Sequence, residues 1–221
     1  LAEIVALREK ERVERHEERH RLRNMLSVLR AVARQTGEDV QTIEEYGGVL
    51  DGRLSSYLRV QAAVMPDWSR GIDLAMLLSD ELLRFGLKEG DQARLSGPAI
   101  RLTSRAAGLL ALAFHELASA AILSSHLDME GGGLEVRWGT DYEEGNEALV
   151  IEWVETNPAG GDVTASQSRW AAWIEEAIAH QLSGRMARSV TPSSCLARLI
   201  LPAAVMITNG HLELAQAEQE P

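Results

Sequence analysis

The sequence predicts an α+β protein: a two-helix hairpin that pairs with a second copy as a four-helix bundle, followed by an α/β sandwich. Three observations lead there. Apolar residues recur at three-and-four spacing from Leu22 to about Met65, and the first proline is Pro66. Further on, LEVRW (134–138), ALVIEWVE (148–155) and CLARLIL (195–201) are rich in β-branched and aromatic residues, as strands are. Between and before these runs lie three more segments of helical pattern.

The elements follow in order. Residues 1–36 hold nine Lys/Arg and six Asp/Glu, net +3, and no Gly precedes Gly37. Opposite charges fall three and four apart, as Glu11 with Arg15, with the like pair Glu14 and Glu18 an exception. From Leu22, an apolar stripe runs through Met25, Leu26, Leu29, Val32 and Ala33. This predicts one helix of about 35 residues, long enough to favour coiled-coil pairing. A second helix after Gly37 carries Ile43, Tyr46, Leu50, Leu54, Tyr57, Leu58 and Gln61, is weakened at Gly47–Gly48, and ends at Pro66. The narrow seam of such a hairpin is best buried against another copy. Beyond Trp68, residues 74–86 and 104–124 read as helices, the second apolar enough to be buried on most sides, with short extended pieces around Gly97–Pro98 between them. Glu143–Gly145–Asn146 is a hairpin loop between the first two strands. A helix over about 169–183 precedes the last strand, and the Glu/Gln-rich tail from His211 is expected to be loose.

Composition narrows the function. Of 221 residues, 22 are Lys or Arg and 33 Asp or Glu, net −11, which argues against a nucleic-acid-binding surface spread over the chain. Cys195 is the single cysteine, so no disulfide scaffold exists within one chain, and a reducing, cytoplasmic setting is expected. No membrane insertion is expected, because no apolar run reaches the roughly 20 residues that a span needs. The chain starts at Leu1 rather than Met, which leaves room for an upstream sensor domain.

His16-Glu17-Glu18-Arg19-His20 fits the H-E-x-x-H zinc pattern, but it lies in one of the most charged segments, with no third ligand at family-like spacing. His20 has a better use. It sits where the charged helix becomes amphipathic, with Arg21 beside it and Asn24 one turn on. An exposed imidazole flanked by cations suits a transient phosphoramidate: the neutral ring nitrogen attacks phosphorus and a guanidinium screens the phosphoryl charge. Asn24 is placed to hydrogen-bond the ring or a phosphoryl oxygen. Most surface histidines simply sit in water, so residue type alone leaves this open.

The rest of the chain sharpens it. HRLRNMLSVLRAVARQT resembles the phosphoacceptor box of the HWE-type histidine kinases. LSGPAIRLTSRAAGLLALAFHELASAA resembles the stretch leading into that family's N-box, and ALVIEWVE supplies a Trp153-x-Glu155 pair. His115, Trp153 and Glu155 match the three residues that give the family its name, and the likeness spans about residues 14–202 in order. The resemblance implies a dimerisation and phosphotransfer hairpin followed by a Bergerat-type ATP-binding sandwich. The implied divisions are a signalling helix at 1–19, the hairpin at 20–66, the sandwich at 67–205 and a polar tail at 206–221.

The departures from the family pattern fall where ATP should bind. Past His115-Glu116-Leu117-Ala118 the family has a small residue and then an asparagine that holds Mg²⁺; this chain has Ser119 and then Ala120. The lysine three residues further on, which would meet phosphate, is Leu123. A methyl group is no oxygen ligand, and leucine neutralises no phosphate. The Gly-Gly-Pro turn is replaced by Thr156-Asn157-Pro158, and the Gly-x-Gly expected just before Ile174 by Ser168-Arg169-Trp170, with Gly160–Gly161 the alternative glycine pair. Each loss costs about 2–4 kcal/mol of nucleotide or transition-state binding.

The expected ATP site, at Glu116, Ala120, Leu123, Trp153 and Glu155, is therefore degenerate, with no bound cofactor or metal. His115, Trp153 and Glu155 become a packed polar cluster, the other tryptophans core or interface residues, and Cys195 a buried thiol. The expected function is phosphotransfer between His20 and the aspartate of a response-regulator receiver, which brings its own Mg²⁺, by a homodimer paired through residues 20–65. Two alternatives remain: a pseudokinase binding module without phosphoryl chemistry, and a divergent active kinase.

Overall fold

Helix α1 (Ala2–Asp39) extends over 38 residues in this computed structural model, which describes residues 2–65, 70–123, 132–156, 169–191 and 193–207. It is longer than the periodicity predicts and continues through Gly37. Exposed pairs line its charged portion, Arg12 to Glu9 at 3.1 Å and Arg15 to Glu11 at 3.7 Å. Helix α2 (Ile43–Val64) starts at Thr42, whose Oγ1 accepts from the Glu45 amide at 3.1 Å. The Glu45 carboxylate in turn accepts from the Gln41 amide at 3.1 Å, a reciprocal cap that sets where the chain re-enters helix.

The chain divides into two compact units within α2, between Leu54 and Ser55. In the first, Arg53 ties α2 to α1, donating to Thr36 Oγ1 at 3.0 Å and to Asp39 at 3.1 Å, and Tyr46 Oη donates to the Ala33 carbonyl at 3.3 Å. The apolar stripe read from the sequence is only partly buried. Val28, Val32 and Thr36 face inward, whereas Leu22 and Leu26 are 56% and 63% exposed.

The second unit is built on a five-stranded sheet, ordered β2-β4-β5-β7-β6 (β2 Ala93–Ser96, β4 Gly133–Glu143, β5 Asn146–Thr156, β6 Arg185–Thr191, β7 Ser194–Pro202). Its β2–β4 pair is parallel and the other pairs are antiparallel. Helices α3 (Leu74–Arg84), α4 (Ser104–Leu123) and α5 (Arg169–Leu182) accompany the sheet, with α4 packed against α3 and α5. Alternate residues of the strands are buried: Leu134, Val136 and Trp138 on β4, Leu149, Ile151 and Trp153 on β5, Ala197 and Leu199 on β7. The other residues of these strands include the charged series Glu135, Arg137, Glu152 and Arg198. Gly97 lies flat under Trp138, where a Cβ would come within 2.4 Å of the ring, and the indole donates to the Pro98 carbonyl at 2.8 Å. A two-stranded piece, β1 (Ile72–Asp73) with β3 (Arg101–Leu102), is closed by the C-terminal residues. Met206 bridges to Leu102, and the Ile207 amide donates to the Arg101 carbonyl at 2.7 Å.

Three expectations need correction. Strand β6 was not foreseen, because RMARSVT is a polar edge strand without the apolar signal of its neighbours. Helix α3 stops at Arg84, two residues early. Helix α4 is long and apolar enough to cross a membrane by length and composition, contrary to the sequence reading. Its residues 106–114 are buried without a break among protein neighbours, as in a core helix. Asn157, Pro158, Gly160, Gly161, Ser168, Trp68 and the tail from His211 lie outside the described residues.

Candidate functional site

His20 is exposed on α1, and one turn on the Asn24 side-chain nitrogen stands 3.2 Å from its Nδ1. Helical geometry brings residues four apart to this distance, so the sequence spacing alone placed the pair. Arg21 is half-buried, while Arg19 and Arg23 are exposed, so three arginines lie within one helical turn of His20. Arg23 also belongs to the local backbone scaffold, since its carbonyl accepts from Ser27 at 2.8 Å.

The remaining candidate residues belong to the second unit. Glu116 and Ala120 are half-buried on α4, and Leu123, its last residue, is 78% exposed. An exposed leucine at a helix end offers neither a charge nor an oxygen. Trp153 is fully buried on β5 and donates from Nε1 to Glu155 Oε1 at 2.7 Å, two residues along the same strand face. Phe114 of α4 stacks on Trp153 at 6.4 Å between centroids and 10° between planes. The register sets Glu155 opposite Cys195 of β7. Burial and the neighbouring Glu155 carboxylate push the Cys195 thiol up, against the Arg188 guanidinium, whose Nη2 is 3.9 Å from the sulfur. Trp170 is fully buried at the start of α5, tilted against Trp173 at 4.7 Å. A side chain of that size in that position is part of the packed interior.

His115 does not join Trp153 and Glu155 in one cluster. Its Nδ1 is 2.7 Å from Glu81 Oε1, and its ring leans on Phe85 at 5.1 Å. Glu81, 1% exposed on α3, also accepts from Ser56 Oγ at 3.0 Å and from Arg59 Nη2 at 2.5 Å. Burial alone would raise the Glu81 carboxyl. The hydrogen bond and charge of His115, the charge of Arg59 and the Ser56 hydroxyl outweigh it, and hold the group below the usual carboxylate range. Burial lowers the Arg59 guanidinium, which is nonetheless a cation at neutral pH. A pocket of about 60 Å³ beside this cluster, lined by Arg59, Val60, Met76 and Asp80, is small beside the few hundred Å³ of a typical ligand site. Sequence reasoning passed over Glu81. The signal was there: Leu74, Leu77, Leu78, Glu81 and Leu82 form one buried stripe, and an acid on that stripe needs partners.

Comparison with known proteins adds to this geometry. Residues 17–99 match the family model described as HWE histidine kinase. That match spans less than half of the 221 residues and marks a likeness to the HWE histidine kinases. It is 26% identical over 211 residues to the blue-light-activated histidine kinase 1 of Erythrobacter litoralis, covering 91% of this chain and 57% of that protein. To the blue-light-activated histidine kinase of Brucella ovis it is 23% identical over 137 residues, covering 62% of this chain and 28% of the relative. The chain thus spans little more than half the length of the first relative and less of the second. Its fold matches the solved structure of the Erythrobacter litoralis EL346 blue-light activated histidine kinase, with a TM-score of 0.55 at 11% identity, over 81% of this chain and 59% of that one.

Proposed function

We propose that this HWE histidine kinase relative is a phosphotransfer protein of a two-component pathway, in which His20 exchanges a phosphoryl group with a receiver aspartate and the nucleotide site is not used. The observation that carries this reading is the contrast between an exposed His20 with Asn24 on its ring and an α4 that presents Ala120 and Leu123 where the family presents asparagine and lysine. In the structure the Asn24 nitrogen faces Nδ1; a half-turn of the amide about its last bond puts the oxygen there instead, so that Nδ1 carries the proton and Nε2 the lone pair. Nε2 attacks the phosphorus of the aspartyl phosphate; the N–P bond forms, the P–O bond to aspartate breaks, and the carboxylate leaves. Asn24 accepts from Nδ1–H of the resulting cationic ring, and Arg21 screens the phosphoryl oxygens. The receiver supplies its own Mg²⁺. Exposed Leu22, Leu26 and Ile43 support pairing of two chains through the hairpin.

Intact-protein mass spectrometry after incubation with Mg-ATP, and separately with a phosphorylated receiver, tests the reading. Acid-labile phosphate from the receiver alone, lost in His20→Gln, is the expected result. Label from ATP would make the chain a divergent kinase and overturn the nucleotide half of the proposal; no label from either would leave a binding module.

A further inference from the structure

The second half of α2 is seated among the helices of the sheet unit, and one carboxylate is the point where three helices meet. Within residues 55–64, Ser56, Tyr57, Val60, Gln61 and Val64 are all buried. Tyr57 and Gln61 close on Gly108 of α4 so tightly that a Cβ there would lie 2.8 Å from each. That notch admits Tyr57 and Gln61 only where α4 has no Cβ, which already favours one register. The polar atoms fix it further. Ser56 Oγ reaches both Glu81 on α3 at 3.0 Å and the Ala111 carbonyl on α4 at 3.1 Å. Arg59 reaches the same carboxylate oxygen from one turn further along α2, and His115 of α4 takes the other.

We propose that Glu81 is a register clamp: it fixes the last turns of α2 on α3 and α4, so that the end of α2 and the helix bearing His115, Glu116 and Ala120 move as one body. Buried apolar side chains such as Val60, Val64, Leu77 and Leu78 pack without direction and tolerate a shift of a turn. A carboxylate with three donors from two neighbouring helices does not, because a shift of about 5 Å would leave a buried charge without partners. A well-packed apolar side chain would fill the same volume at no desolvation cost, so what the charge adds is specificity of placement. His115 is on this account a positioning residue, holding Glu81 rather than a ligand. The inference stands apart from the phosphotransfer reading.

Hydrogen exchange of the full chain, read by mass spectrometry, tests it on Glu81→Gln and on the milder Arg59→Met, which removes one arm of the clamp at a partly exposed position. The expected result is at least tenfold faster exchange confined to residues 55–64 and 76–84, with the amides of β4, β5 and β7 unchanged. Unchanged rates in the α2 segment would overturn the proposal, and so would the same acceleration across every slow amide. If Glu81→Gln does not fold, Arg59→Met alone decides by the same two criteria.

Discussion

Tyr57 gives the most direct test of whether the end of α2 is seated in the sheet unit. Its side chain is 5% exposed, and burial pushes the phenol from 10.0 up to about 12. A folded-state value above the unfolded one means that the fold binds the proton more tightly. The associated stability is therefore intact below pH 10 and is lost as pH climbs toward 12. At 1.36 kcal/mol per unit, the full loss is about 2.7 kcal/mol, of which about 1.4 kcal/mol has gone by pH 11. Tyr57→Phe removes the titrating hydroxyl and keeps the ring that lies against Gly108. Urea melts of both proteins between pH 8 and 11 measure the difference, and the other alkaline transitions cancel between them. The variant is expected to gain about 1.4 kcal/mol on the parent over that range. Parallel curves would mean that the phenol is solvated, and that the last turns of α2 do not sit where the structure has them.

The other predictions concern glycines, acid and the thiol. Gly47→Ala and Gly48→Ala meet no atom within 4 Å and are each expected to raise stability by about 0.5–1 kcal/mol in thermal melts, as exposed helix positions do. Gly108→Ala, which drives a methyl into Tyr57 and Gln61, should instead lower it, typically by about 1–3 kcal/mol. Glu81, held low by its partners, contributes stability above the ordinary carboxyl range that is lost as pH falls through its folded value. Urea melts from pH 6 to 3 should accordingly show a steeper acid limb for the parent than for Glu81→Gln. Cys195, 2% exposed and with its thiol pushed up, should resist iodoacetamide at neutral pH and react stoichiometrically in urea; rapid native alkylation would place β7 at the surface.

The helices were legible because the 3.6-residue repeat survives in each of them and Pro66 marks where the second must stop. The central strands were legible because both their own side chains and their flanks announce them; each proved longer by a residue or more, since strand ends here are polar. Strand β6 was not legible: Arg185, Ala187, Ser189 and Thr191 alternate with half-buried residues, and an edge strand carries no continuous apolar run. Of the candidate site, His20 and Asn24 were readable because their partnership is local. The His115–Glu81 pair spans 34 residues, and no spacing rule connects two helices whose approach is decided by tertiary packing. Leu22 and Leu26 show the opposite case. Their periodicity is right for a buried face, yet nothing within the described chain covers them.

The position of β7 also bears on how the protein is made. Synthesised late, it lies between β5 and β6, and the residues just after it stitch Met206 and Ile207 onto Leu102 and Arg101. A nascent chain emerging from the ribosome therefore holds β5 with one open edge until residues 194–207 are out. The part of the hairpin before Ser55, tied together by the contacts of Arg53 and Tyr46 with α1, has no such wait. The interval in which the open edge of β5 is vulnerable to aggregation is set by the translation of residues 157–207, and a rare-codon pause placed before residue 194 would lengthen it.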